Sequence, residues 1–135
     1  MTVRKLKPVT PAQRFTIVNG FDAITVSKPE KSLLRFLKKT GGRNNSGKMT
    51  VPHRGGGHKR RYREIDFKRN KFEIEGQIVS IQYDPNRTAF IALVKYTDDE
   101  KRYIIAQNGL KVGQKIISGQ NVPPDIGNAC LLYTS

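Results

Sequence analysis

The chain has 135 residues, enough for one domain with its own core, and carries 25 Lys+Arg against 11 Asp+Glu, a formal net charge of +14. A field of that size concentrates negative partners, which leaves nucleic acid and an anionic membrane surface as the two classes to weigh. There is no run of about 18 apolar residues to span a bilayer, no secretory signal in the basic start Met1-Thr2-Val3-Arg4-Lys5-Leu6-Lys7-Pro8, and only Cys130 as a cysteine, so no internal disulfide.

Residues 1–37 read as an N-terminal extension. Phe15-Thr16-Ile17-Val18 is a short β-like run, and residues 31–37 predict one or two helical turns that Gly41-Gly42 would end. Residues 38–71 are a basic, glycine-rich arm. They hold 12 Lys/Arg against Glu64 and Asp66, so 12 − 2 = +10, and six of the 12 glycines. Such a stretch has little apolar area to offset the entropy of ordering it, which predicts an extended arm that orders on a polyanion.

Residues 72–120 predict an all-β, small antiparallel barrel of the oligonucleotide-binding (OB-like) type. Residues 72–83 alternate, with Val79, Ile81 and Tyr83 on one face. Asp84-Pro85-Asn86-Arg87 is a turn. A second strand over 88–97 contains an apolar run, 89–94, that predicts burial on both faces. Residues 97–100 turn, 101–107 give a third strand, and Asn108-Gly109 signals a hairpin into a fourth over 110–118. A fifth strand must come from an earlier segment. Residues 121–135 have loop composition and read as a truncated tail.

The arm supplies the chemistry. Lys38, Lys39, Arg43, Lys48, Arg54, Lys59, Arg60, Arg61, Arg63, Lys68, Arg69 and Lys71 bring charge, and arginine adds a planar fork suited to phosphate. Gly55, Gly56 and Gly57 let the backbone approach phosphate oxygens. Asn44 and Asn45 offer hydrogen bonds to base edges or ribose hydroxyls. Tyr62, His53 and His58 are shaped to stack on splayed bases. No recognition-helix pattern is present, which favours RNA over a duplex reader. Gly42-Arg43-Asn44-Asn45-Ser46-Gly47-Lys48 has the spacing of a phosphate-binding loop, but Met49 replaces the magnesium-holding hydroxyl, and neither the preceding strand nor the following helix is predicted. His53 and His58 lack the further ligands of a structural zinc site. No catalytic motif, cofactor, metal or small-molecule substrate is expected, and Asp66 reads as an ion-pair partner for arginine. A stand-alone module binding single-stranded nucleic acid on its barrel is the alternative; it would need exposed rings among Phe90, Tyr96 and Tyr103, of which at least two read as core.

Three runs carry a resemblance. Gly41-Gly42-Arg43-Asn44-Asn45, then His53-Arg54-Gly55-Gly56-Gly57-His58-Lys59-Arg60-Arg61-Tyr62-Arg63, then Ile65-Asp66-Phe67-Lys68-Arg69 resemble the universal large-subunit ribosomal protein family L-two, in its bacterial form. Tyr83-Asp84-Pro85-Asn86-Arg87, Ile91-Ala92-Leu93, Glu100-Lys101-Arg102-Tyr103-Ile104 and Gly109-Leu110-Lys111-Val112-Gly113 match the same family. The resemblance spans roughly residues 3–129. It implies an OB-like barrel with a basic extension bound to large-subunit ribosomal RNA, neighbouring ribosomal proteins as further partners, and a ribosomal location in the cytoplasm or an organelle. It implies a part in subunit assembly, subunit association and support of the peptidyl-transferase region, with no enzymatic role. Family members continue past Gly127-Asn128-Ala129 into a second small barrel and a basic tail, whereas Cys130-Leu131-Leu132-Tyr133-Thr134-Ser135 does not match and reads as a foreign or erroneous end. The family's functionally sensitive histidine lies in that later part, so its role is not given to His53 or His58.

Overall fold

The computed structural model describes residues 2–130. Apart from one 3-10 turn, Lys31–Leu33, the regular structure among these residues is all strand. The strands are β1 (Val3–Lys5), β2 (Ile17–Asn19), β3 (Leu34–Phe36), β4 (Arg61–Arg63), β5 (Gly76–Gln82), β6 (Ile91–Tyr96), β7 (Lys101–Ile105), β8 (Lys115–Ile116), β9 (Ser118–Gly119) and β10 (Ala129–Cys130).

The central unit is a four-stranded antiparallel sheet in the order β7-β6-β5-β8, curled as an OB-like half-barrel. Its middle strand explains the long apolar run. Ala92, Val94 and Tyr96 pack with Ile78, Ile104, Leu110 and Ile116 on one face. Ile91 and Leu93 pack with Ile65 and Tyr103 on the other. Alternate side chains of a strand point to opposite faces, so a strand buried on both sides must be apolar throughout. A bulge between Ile78 and Ser80 shifts the register of β5, turns Val79 outward and breaks the expected alternation. Ile81 is buried, while Val79 and Tyr83 are exposed.

Earlier segments complete both edges. The Thr25 amide donates to the Ile81 carbonyl at 3.0 Å, and its hydroxyl accepts from the Ile81 amide at 3.0 Å, beyond the point where β8 stops. On the far side, Ile65 bridges Tyr103 in parallel, and the Asp66 amide donates to the Tyr103 carbonyl at 2.8 Å. A buried polar chain fixes this junction: the Glu30 amide donates to the Tyr103 hydroxyl, which donates to Gln82 Oε1, both at 2.8 Å. Burial raises the Tyr103 pKa, keeping the phenol a neutral donor.

Four expectations are corrected. Residues 31–37 are not helical beyond the 3-10 turn; β3 follows at once and pairs antiparallel with β4, Leu34 opposite Arg63 and Phe36 opposite Arg61. Tertiary pairing outweighs local propensity there. That pairing also closes the arm at its base, so it is a loop and not an extended strap; the apolar contacts of Leu33 and Ile65 beneath the junction supply area that the arm's own composition lacks. Asn108-Gly109 turns the chain, but the strands on either side are not neighbours, because β8 pairs with β5. Within the tail, β10 runs parallel to β9, and Asn128 Oδ1 accepts from the Ile117 amide at 2.9 Å. The rest of the proposed foreign end, 131–135, lies outside the described residues.

Candidate nucleic-acid interface

Charge is segregated along the chain. Residues 1–37 have seven basic and two acidic residues, 7 − 2 = +5, and residues 72–135 have six and seven, 6 − 7 = −1, which with the arm's +10 gives the total of +14. The ion pairs sort the cations further. Arg35, Lys71, Arg87, Lys95, Lys101, Arg102 and Lys115 each bind a carboxylate. Among the described residues, no Lys or Arg between 38 and 63 does. Among the described residues the barrel thus neutralises its cations except Lys111, and the loop keeps its charge open.

The loop places Lys38, Lys39, Arg43, Asn45, Lys48, His53, Arg54, Gly55, Gly56, Gly57, His58, Lys59, Arg60 and Arg61 at the exposed surface. Its first half is a tight hairpin with Arg43 bridged to Met49. Asn44 builds that turn: its Oδ1 accepts from the Lys48 amide at 2.9 Å and the Ser46 hydroxyl at 2.8 Å. The side-chain carbonyl expected to read a base edge is therefore engaged within the protein. Gly42 is obligatory at the base, with φ +77 and space so tight that a Cβ would lie 2.2 Å from the Val51 carbonyl oxygen. The Thr50 and Val51 amides both donate to the Gly42 carbonyl. This is a closed hairpin with no helix after it, so the phosphate-loop spacing does not build a phosphate-binding loop here.

The second half runs back into β4. His58, Lys59, Arg60, Arg61 and Arg63 line an open groove of about 520 Å³ against Pro85. Tyr62 and Arg63 are half-buried. Arg63 Nη1 donates to the Arg61 carbonyl at 2.8 Å, and its Nε is buried without a hydrogen-bond partner.

Two of the expected contact residues are engaged within the protein. Lys71 is 9% exposed, and its ammonium is bound by Asp98 and Glu100 and lies 4.9 Å from the Tyr96 ring centre. Burial alone would lower the Lys71 pKa; the hydrogen bonds to Asp98 and Glu100 outweigh it and hold it above its ordinary value. Arg69 donates to the Ser118 hydroxyl at 3.2 Å and the Gly127 carbonyl at 2.9 Å. Both sit inward because residues 64–71 pack along β7 instead of continuing the loop. Lys68 stays exposed. Asp66 pairs with an arginine as expected, but with Arg102 of β7, at 2.9 Å.

The turn at 84–87 does more than reverse the chain. Asp84 is fully buried, and its carboxylate accepts from Arg87 Nε at 2.6 Å and the Asn86 amide at 2.9 Å. Asn86 Nδ2 then donates to the Arg61 carbonyl at 2.8 Å. Burial opposes the Arg87 charge, but hydrogen bonding to Asp84 and Tyr62 raises its pKa overall. The turn thus grips β4 and orients the loop. Sequence reasoning recognised the turn residues but not this role; the signal was an acid and a base three apart around Pro-Asn. Of the rings a barrel-face binder would need, Tyr96 and Tyr103 are core, and Phe90 packs 6.3 Å from Phe21.

An OB-like sheet carrying an open cationic loop is an arrangement suited to single-stranded or structured nucleic acid. Residues 30–118 match the family model "Ribosomal Proteins L2, RNA binding N-terminal domain". The large ribosomal subunit protein uL2 of Flavobacterium psychrophilum is 66% identical over 128 residues, covering 95% of this chain and 47% of that protein. The uL2 protein of Christiangramia forsetii is 65% identical over 130 residues, 96% and 47%, and that of Amoebophilus asiaticus is 58% identical over 134 residues, 99% and 49%. The chain belongs to the L2 family of ribosomal proteins, in its bacterial form, and spans about half the length of the curated relatives it matches.

Proposed function

We propose that this chain is a non-enzymatic, structural component of the large ribosomal subunit, and that it grips large-subunit ribosomal RNA through residues 38–63, with Lys68 beside them. The observation that carries the reading is the contrast between a barrel in which every cation but Lys111 is paired and a loop whose cations are not, among the described residues. Phosphates complete what the fold leaves open, while the turn at 84–87 fixes the direction in which the loop leaves the barrel. By neutralising RNA phosphates where RNA segments converge, the chain supports assembly of the subunit, its association with the small subunit, and the shape of the peptidyl-transferase region. Neighbouring ribosomal proteins are its other partners, and the cytoplasmic ribosome is its location. No helix among the described residues is long and apolar enough to cross a membrane.

The test is competition binding. The chain is expected to retain a labelled large-subunit ribosomal RNA fragment at physiological salt against an excess of small-subunit ribosomal RNA of equal length. Equal competition by both RNAs would reduce the interaction to general polyanion binding and overturn the ribosomal assignment.

A further inference from the structure

We propose that the groove beside Phe67 is a binding site for one unpaired RNA base, with Phe67 as its stacking platform. The inference rests on the RNA-binding reading above and adds a ligand contact separate from the phosphate-gripping loop.

Phe67 is 65% exposed although Ile65, Arg69 and Lys71 on either side of it turn inward. It sits on a turn that Asp66 holds from both oxygens: Oδ1 accepts from the Arg69 amide at 2.9 Å, and Oδ2 pairs with Arg102 at 2.9 Å. The ring is therefore presented by a fixed backbone. The Arg87 guanidinium lies 5.7 Å from the Phe67 ring centre and 5.7 Å from that of Tyr62, forming a ring–cation–ring array. A base added to Phe67 would lengthen an array that the protein has already ordered.

The groove that Phe67 borders has a volume of about 610 Å³, within the usual range for a small-ligand site. Leu33 and Ile65 give it apolar lining, and Ser32 and Asn70 add hydrogen-bonding groups suited to a base edge. Its acidic groups are neutralised: Glu64 by Arg35 at 2.9 Å, Asp66 and Glu100 by Arg102. Lys68, also on the groove, has no ion pair among the described residues and stands ready for the phosphate attached to the base. A flat apolar face, a polar edge and an adjacent cation match the face of a base, its hydrogen-bonding edge and the phosphate attached to it. A base inside a duplex already has both faces stacked, so the site selects an unpaired one.

The experiment uses the full chain and two single-stranded RNA probes of about twelve nucleotides, a length within the range such folds cover: oligoadenylate, and the same ribose-phosphate backbone without bases. Phe67→Leu keeps an apolar side chain but removes the ring. It should weaken oligoadenylate binding by roughly 5- to 150-fold, the range measured for base–aromatic stacking, with the salt slope unchanged and abasic binding unaffected. Phe67→Tyr should bind oligoadenylate as the unaltered chain does. Because the chain has no tryptophan, Phe67→Trp supplies a single emission signal that oligoadenylate should quench and the abasic strand should not. Unchanged oligoadenylate affinity in Phe67→Leu, or equal loss on both probes, overturns the base site. If that occurs while loop substitutions still flatten the salt dependence, only this site falls; if loop substitutions also have no effect, the RNA reading falls with it.

Discussion

Replacing Lys59, Arg60 and Arg61 together with Gln tests the electrostatic grip directly. The arm has twelve cations; removing the internally engaged Arg69 and Lys71 leaves ten for RNA. At about 0.7 released counterions per single-strand phosphate, ten contacts give a slope of log K against log salt near −7, and seven give near −5. Across a fourfold rise in salt, a slope difference of about 2 narrows the affinity gap between the two proteins by roughly 20-fold. The three side chains are exposed, so the thermal unfolding of the barrel should not move. Titrations of a labelled large-subunit RNA fragment by anisotropy at four salt concentrations give both slopes. Parallel lines, with affinity lost equally at every salt, would show that these residues do not neutralise phosphate and would refute the reasoning.

Other parts of the structure make equally direct demands. The hydrogen bond from Lys71 lowers the Asp98 pKa; that from Arg102, with a second from Lys71, lowers the Glu100 pKa. Depressed carboxylate pKa values add stability that is present above the unfolded pKa near 4 and lost as pH falls through the folded values; urea midpoints should therefore drop in acid, and Lys71→Met should flatten that drop. Asp84→Ala leaves Arg87 without its carboxylate and should cost about 3 kcal/mol in urea unfolding, toward the low end for breaking a buried pair because Arg87 keeps some contact with water; a loss under about 1 kcal/mol would remove the turn from its clamping role. Gly42→Ala meets both a positive φ and the Val51 carbonyl. It should abolish hydrogen-exchange protection at the Thr50 and Val51 amides and leave barrel amides protected.

The sheet was legible where side-chain pattern alone decides structure. An apolar run through β6 requires cover on both faces, and the structure supplies both. Pattern failed where a remote partner decides. Asn108-Gly109 specifies a reversal, but which strand lies beside β8 depends on the curl of the whole sheet. Residues after Lys31 have helix-compatible spacing, yet pairing with residues near 62 claims them as β3. The candidate site divides in the same way. Open cations between 38 and 63 could be counted from composition, because nothing nearby neutralises them. Lys71 looked identical in sequence, and only folding brings Asp98 and Glu100 to it. Phe67 carried no signal at all beyond its neighbours, since exposure of an aromatic ring is a tertiary property.

The double hydrogen bond between Thr25 and Ile81 has a consequence for how the protein survives before it meets RNA. Past the bulge at Val79, β5 would otherwise present free amide and carbonyl groups, a template onto which a second sheet could grow. Thr25 occupies that template on one side, as Ile65 and Asp66 do along β7 on the other. Fewer edge groups are thereby left for a second sheet to pair with, and like charge on the cationic loops opposes close approach of two chains. The segments that looked like mere approach to the barrel are thus also the cover on its open edges.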